Sequence, residues 1–127
     1  MTVTKTNALR ELVRTQLLTV LDNVFYEEAD ENAMYPHCVF SFNTVDLGDF
    51  ARDDIILDID LYTKGSSVVA LEEMADQVEA LFNNANLPQS TILPTFFRMN
   101  RHPVPDTDKS IRRRNIKFQI QNYESEE

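Results

Sequence analysis

The chain contains no tryptophan and only two glycines in 127 residues. A glycine-rich phosphate loop is therefore excluded, because such loops need several glycines at fixed spacing. Cys38 is the only cysteine. It cannot form an internal disulfide, which fits synthesis in a reducing, cytoplasmic compartment. There is no unbroken apolar run of about 20 residues, so no membrane-spanning helix is expected. The N-terminal stretch "MTVTKTNALRELVRTQLLTVLDNVF" starts with few positive charges and is interrupted by charge throughout. It does not read as a secretory signal.

What is present suits one domain covering residues 1–127, with a frayed tail at 124–127. Hydrophobic residues make up 43% of the chain, enough to bury a core. The net charge of −9 speaks against a free-standing nucleic-acid binder. That charge is unevenly spread. Residues 1–97 carry 5 Lys/Arg against 16 Asp/Glu, whereas residues 98–117 carry 7 basic against 2 acidic. An acidic body thus bears a basic C-terminal segment. Either the two pair within one fold, or they meet between subunits.

Apolar residues at three- and four-residue spacing (Leu9, Leu12, Val13, Leu17, Val20, Leu21, Val24) predict an amphipathic helix over 5–24, with Thr6 or Asn7 as cap. The acidic stretch "YEEADENAMYP" reads as a solvated connection that Pro36 ends. "HCVFSFN" alternates as a strand with Cys38, Phe40 and Phe42 on one face. After a polar link with a turn at Gly48, "DDIILDIDLYTKG" gives a second strand near 55–62. There Leu57, Ile59 and Leu61 share one face, and Asp58, Asp60 and Tyr62 the other. A second helix is expected over 66–85, capped by Ser66 or Ser67 and ended by "NNANLPQ". "TFFRMNR" and "IRRRNIKFQIQNY" read as strands three and four. The order α-β-β-α-β-β predicts an α+β fold. It has two layers: a mostly antiparallel or mixed four-stranded sheet with both helices on one face.

The Asp58/Asp60 pair invites a metal reading that spacing does not support. Counted from Asp58, a calcium loop lacks the glycine at position six (Thr63) and the glutamate at position twelve (Val69). Lys64 lacks an acid two residues before it, as a nuclease-type strand would need. Cross-strand pairing with Arg98 and Lys117 is the better expectation. His37, Cys38 and His102 are too scattered for structural zinc. Cys38 is in phase with the core and unsuited to a reactive thiolate. No Gly-x-Ser-x-Gly elbow is present. No catalytic, metal or cofactor residues are expected. The hairpin "FRMNRHPVPDTDKSIRRRNI" carries Arg98, Arg101 and Arg112 to Arg114. Arg112 and Arg114 are in phase with Ile116, Phe118 and Ile120, so either the strand begins near Arg114 or the hairpin projects past the helices as a basic docking arm.

A leading helix, the Tyr-Pro strand "AMYPHCVFSF", the Arg-Asp strand "ARDDIILDIDLYTKGSS", the helix "ALEEMADQVEALF" and the terminal hairpin ending "RRRNIKFQIQNY" together resemble the tail terminator (tail completion) proteins of long-tailed bacteriophages. The resemblance covers roughly residues 33–123. It implies a non-enzymatic virion assembly protein that forms a ring, commonly a hexamer, on the head-proximal end of the tail tube. Such a ring ends tube growth and meets the head connector. The implied partners are further copies of the chain, the tube protein and a connector protein, with DNA only as passing cargo and no membrane. The implied place is the tail neck of a virion assembled in the host cytoplasm. The subunit-interface candidates are Arg98, Arg101, Arg112, Arg113 and Arg114, set against Asp53, Asp54, Asp58 and Asp60 of a neighbour. The competing readings are another neck, head-closure or minor capsid component, and a small cytoplasmic ligand-binding or enzymatic domain.

Overall fold

The computed structural model describes residues 5–47, 52–65, 68–89 and 92–124. The expected turn at Gly48 and most of the expected frayed tail lie outside the described residues. The second helix starts at Val69 with Val68 at its N-cap and no side-chain cap, so the expected capping by Ser66 or Ser67 is corrected. The elements are α1 (Lys5–Leu17), β1 (Val24–Tyr26), β2 (His37–Leu47), β3 (Arg52–Lys64), α2 (Val69–Phe82), β4 (Ala85–Asn86), β5 (Ile92–Val104) and β6 (Ile111–Glu124). They form one six-stranded sheet in the order β1-β2-β3-β6-β5-β4. Every neighbouring pair is antiparallel except β1 and β2, which are parallel.

The four expected strands are the four long ones, and both expected hairpin pairings form. The sheet has two further edge strands, β1 and β4, of three and two residues. Strands that short show no alternation to read. The first helix also stops at Leu17 rather than near Val24, and Thr6 and Asn7 lie inside it rather than capping it. Leu21 and Val24 remain buried, because a turn and then β1 carry the chain along the same core. Apolar periodicity reports which side faces the core, not which hydrogen bonds form.

Cys38, Phe40, Leu57, Ile59, Leu61, Phe96, Ile116, Phe118 and Ile120 are almost completely buried on one sheet face. Leu9, Val13 and Leu17 of α1, with Leu71, Ala75, Val78 and Phe82 of α2, complete one continuous cluster on that face. Phe82 meets Phe96 at 4.9 Å and Phe118 at 5.4 Å between ring centroids. The α2 helix ends at Asn83, and Asn84 takes the left-handed conformation (φ +54°). An asparagine tolerates that conformation at a helix end better than most side chains. The opposite, open face of the sheet carries the polar residues.

The basic hairpin contains an irregularity. The β5–β6 register shifts between Arg98 and Asn100, so Met99 is an extra residue in β5. A bulge of this kind re-aims every side chain beyond it. Arg98 lies opposite Phe118 and Arg101 opposite Ile116, so both arginines point toward the helices.

Candidate functional site

The helix side of the sheet carries a cation–carboxylate cluster. Arg98 reaches Glu79 at 3.2 Å. Arg101 reaches Asp76 at 2.7 Å, Glu72 at 3.1 Å and Glu79 at 3.4 Å. Arg114 donates from Nε to Glu72 Oε1 at 2.6 Å. The acids come from successive turns of α2, at positions 72, 76 and 79, which one helix face presents together. Burial opposes the charge of Arg101, but the Asp76 hydrogen bond and the nearby Glu72 and Glu79 outweigh it, and the guanidinium titrates above its usual value. The three helix-facing arginines of the hairpin, Arg98, Arg101 and Arg114, are therefore paired with the chain's own second helix.

The open face carries a second network. Asn115 donates its amide to Asp58 and, at 3.0 Å, to Asp60, and its carbonyl accepts from Lys117 at 2.7 Å. Lys117 lies 3.7 Å from Asp58, and Arg113 lies 3.7 Å from Asp60. One amide with two donors and an acceptor thus links two carboxylates and a lysine. The expected cross-strand pairing of Asp58 with Lys117 is present, and the two lie directly opposite. The expected pairing with Arg98 is absent, because Arg98 is in phase with Phe96 and faces the helices. Among the described residues no group of three or more His, Cys, Asp or Glu is placed to hold a metal.

The other expected site residues are dispersed. Asp54 lies opposite Gln121, and Asp53 pairs through its backbone with Leu47 and Asn122, its side chain being outside the described residues. Arg112 lies opposite Thr63. Both expectations for the "RRR" run need correction. The strand begins at Ile111, before the arginines, and it is not a free ribbon there, because β3 flanks it as far as Lys64. Arg114 keeps the phase of the core residues, and α2 supplies Glu72 where the apolar core ends. Cys38 and His37 face opposite sides of the sheet, and burial pushes the Cys38 thiol up to about 12. It stays protonated at neutral pH.

A further site went unread in the sequence. Tyr35, His37 and Tyr62 stack in series, with centroids 4.9 Å and 4.6 Å apart. Arg113 lies over the Tyr62 ring at 4.7 Å. His37, Tyr62 and Arg113 are register partners across β2, β3 and β6. These rings floor a cleft of about 390 Å³ whose rim carries Glu27, Asp30, Glu31 and Asp106. The signal in the sequence was the acid run beside Tyr35 and His37, which reads locally as a solvated connection. No local pattern places Tyr62 and Asp106 across from it.

His37 is 5% exposed, and its Nδ1 has no hydrogen-bond partner. Burial holds its pKa below the ordinary 6.5, against a raising hydrogen bond to the Met34 carbonyl. A lowered histidine favours folding fully above the unfolded pKa. That contribution is lost as pH falls, because the unfolded chain takes up a proton the folded chain refuses. The expected result is a melting temperature that declines from pH 7.5 to 5.5. The decline should be shallower in His37→Phe, measured by circular dichroism. Equal slopes in the two proteins would remove His37 as its source.

No helix among the described residues is long and apolar enough to cross a membrane. No family model matches the chain, and no curated protein matches its sequence. Among solved structures, a chain described as "Virion of native gene transfer agent (GTA) particle" shares the fold, with a TM-score of 0.70 and 14% sequence identity. The match covers 89% of this chain and 92% of that chain. At that identity the likeness is one of fold, and it extends over almost the whole of both chains.

Proposed function

We propose that this protein is a non-enzymatic structural component of a phage-type virion. It assembles as a ring, a hexamer, that caps the tail tube, ends its polymerisation and offers a surface to the head connector. The observation that carries this reading is the fold shared with a virion chain over 89% of the length. The segment order and texture that resemble tail terminators narrow it from virion component to tube cap. The charged residues favour a structural role as well. The pairs that looked most like chemistry, Asp58/Asp60 and the arginines, are engaged in holding strands and α2 together. A ring is built from heterologous contacts, one patch meeting a different patch on the next copy. With a net charge of −9, DNA passes such a ring as cargo and is not bound by it.

Sedimentation velocity tests the reading. The expected result is a concentration-dependent species of six times the 14.7 kDa chain mass, seen as rings by electron microscopy. Added to polymerising tube protein, those rings should arrest tube length. A compact monomer that binds a metabolite would overturn the proposal. Rings that leave tube growth unchanged would move the protein to another position in the neck.

A further inference from the structure

The interface expected from the sequence set the arginines of one copy against Asp58 and Asp60 of the next. In the fold Asp58, Asp60, Arg101 and Arg114 already have partners within one chain. The two ends of the β5–β6 hairpin remain, and they differ in charge and in shape. The turn end carries a groove of about 580 Å³. Its apolar wall is Pro103, Val104 and Pro105. Four cations line it, Lys109 and Arg112 to Arg114, against one acid, Asp106. Lys109 is exposed and makes no ion pair among the described residues. The turn is braced: Asp106 Oδ1 accepts from the Asp108 N–H at 3.0 Å, and Asp108 Oδ1 accepts from the Ser110 N–H at 2.9 Å. A braced turn presents its charges with little ordering left to be lost on binding. The groove adjoins the cleft over Tyr35, His37 and Tyr62, with Asp106 and Ile111 in both. Groove and cleft are therefore one end of the molecule, and a head-to-tail contact needs a second patch elsewhere.

The far end of the hairpin supplies one. Leu93 and Tyr123 lie directly opposite each other where β5 begins and β6 ends. They are 38% and 43% exposed, large side chains that the core does not take. Just beyond them the sequence reads Glu124-Ser125-Glu126-Glu127, three acids in four residues. Strand β6 spans Ile111–Glu124, which at about 3.3 Å per residue sets the two ends roughly 40 Å apart. The three residues beyond Glu124 reach at most about 11 Å. The acids of one chain therefore cannot turn back into the groove of that chain.

We infer that the groove at the hairpin turn receives the opposite end of the same hairpin from a neighbouring copy. Leu93 and Tyr123 meet the proline wall, and the acids of 124–127 meet Lys109 and Arg112. This rests on the proposed ring and names the surfaces that make it. Apolar and aromatic groups at the centre with opposite charges around them are the composition of a specific interface. The two patches are different and lie at separate ends of every hairpin, as a heterologous contact requires.

Cross-linking tests it in the full-length chain. Pro105→Cys places a thiol in the groove and Ser125→Cys places one among the acids, and neither change removes a charge. Cys38 is fully buried and stays protonated, so it does not compete. A chain with both changes, treated with a short bis-maleimide, should give a ladder of cross-linked species on a denaturing gel, because the two thiols of one chain are too far apart to be bridged. Each single variant should stay uncross-linked, and an equimolar mixture of the two should stop at dimers. Lys109→Glu should raise the assembly midpoint on the order of tenfold in sedimentation velocity. Far-UV circular dichroism should be unchanged in every variant. Sedimenting rings without a ladder overturn the contact and leave the ring reading intact. A groove thiol that duplex DNA, and not a second copy, shields from maleimide gives the groove to nucleic acid and also overturns the contact. A parent chain that is monomeric at every concentration overturns both.

Discussion

Replacing Arg101 with glutamate should lower stability by about 2–3 kcal/mol, which lies between the cost of breaking an exposed ion pair and that of breaking a buried one. The Arg101 side chain is 19% exposed and touches three carboxylates, of which Glu79 is 17% exposed. Removing the guanidinium leaves those acids facing one another on successive turns of α2. The new carboxylate adds a fourth negative charge. For a chain of this size the melting temperature should drop by about 8–10 °C. Arg101→Gln keeps some hydrogen bonding and should cost about half as much. Arg101 and Arg114 share Glu72, so their substitutions should not be additive in a double-mutant cycle. Urea unfolding of the two single variants and the double variant checks this. Additivity within about 0.3 kcal/mol would mean that Glu72 does not couple them. The loss is one of folding, so assembly of Arg101→Glu should fail only where the chain itself has unfolded.

Phe118→Ala should have the largest effect of any single substitution, about 3–5 kcal/mol. Phe118 lies in the middle of β6, opposite Leu57 on one side and Arg98 on the other, and is fully buried. Its ring meets Phe82 edge-on, and Phe82 also meets Phe96, so truncation opens a cavity where α2 docks on the sheet. Phe118→Leu keeps most of the volume and should cost about 1–1.5 kcal/mol. Denaturant unfolding with an unchanged slope would show that stability changed and not the compactness of either state. A cost below about 1 kcal/mol for the alanine variant would mean that the core collapses around the site.

Much of the fold was legible because alternation and helical spacing are local properties of the chain. They put Phe40, Ile59, Ile116 and Phe118 on the buried face and Asp58 and Asp60 on the open one, and the fold keeps all six there. The same rule held for Arg114, whose phase matches the core. What it faces was not legible, because Glu72 is 42 residues away. The cleft was hidden for the same reason. Tyr35 and His37 are close in sequence, but Tyr62 and Asp106 come from two other segments, and each alone looks like an ordinary surface residue.

The sequence by itself determined the four long strands, the two helices, their shared apolar face and the separation of acidic body from basic hairpin. These follow from side-chain period and composition, which need no knowledge of neighbours. Only the tertiary structure decided where the charges go. The extra residue at Met99 places Arg101 opposite Ile116; without it, Arg101 would lie opposite Asn115 on the open face. That one-residue shift turns a cation from the open face toward the carboxylates of α2, because adjacent strand positions point to opposite sides of a sheet. A register shift depends on what lies across the ladder, and no local period encodes it.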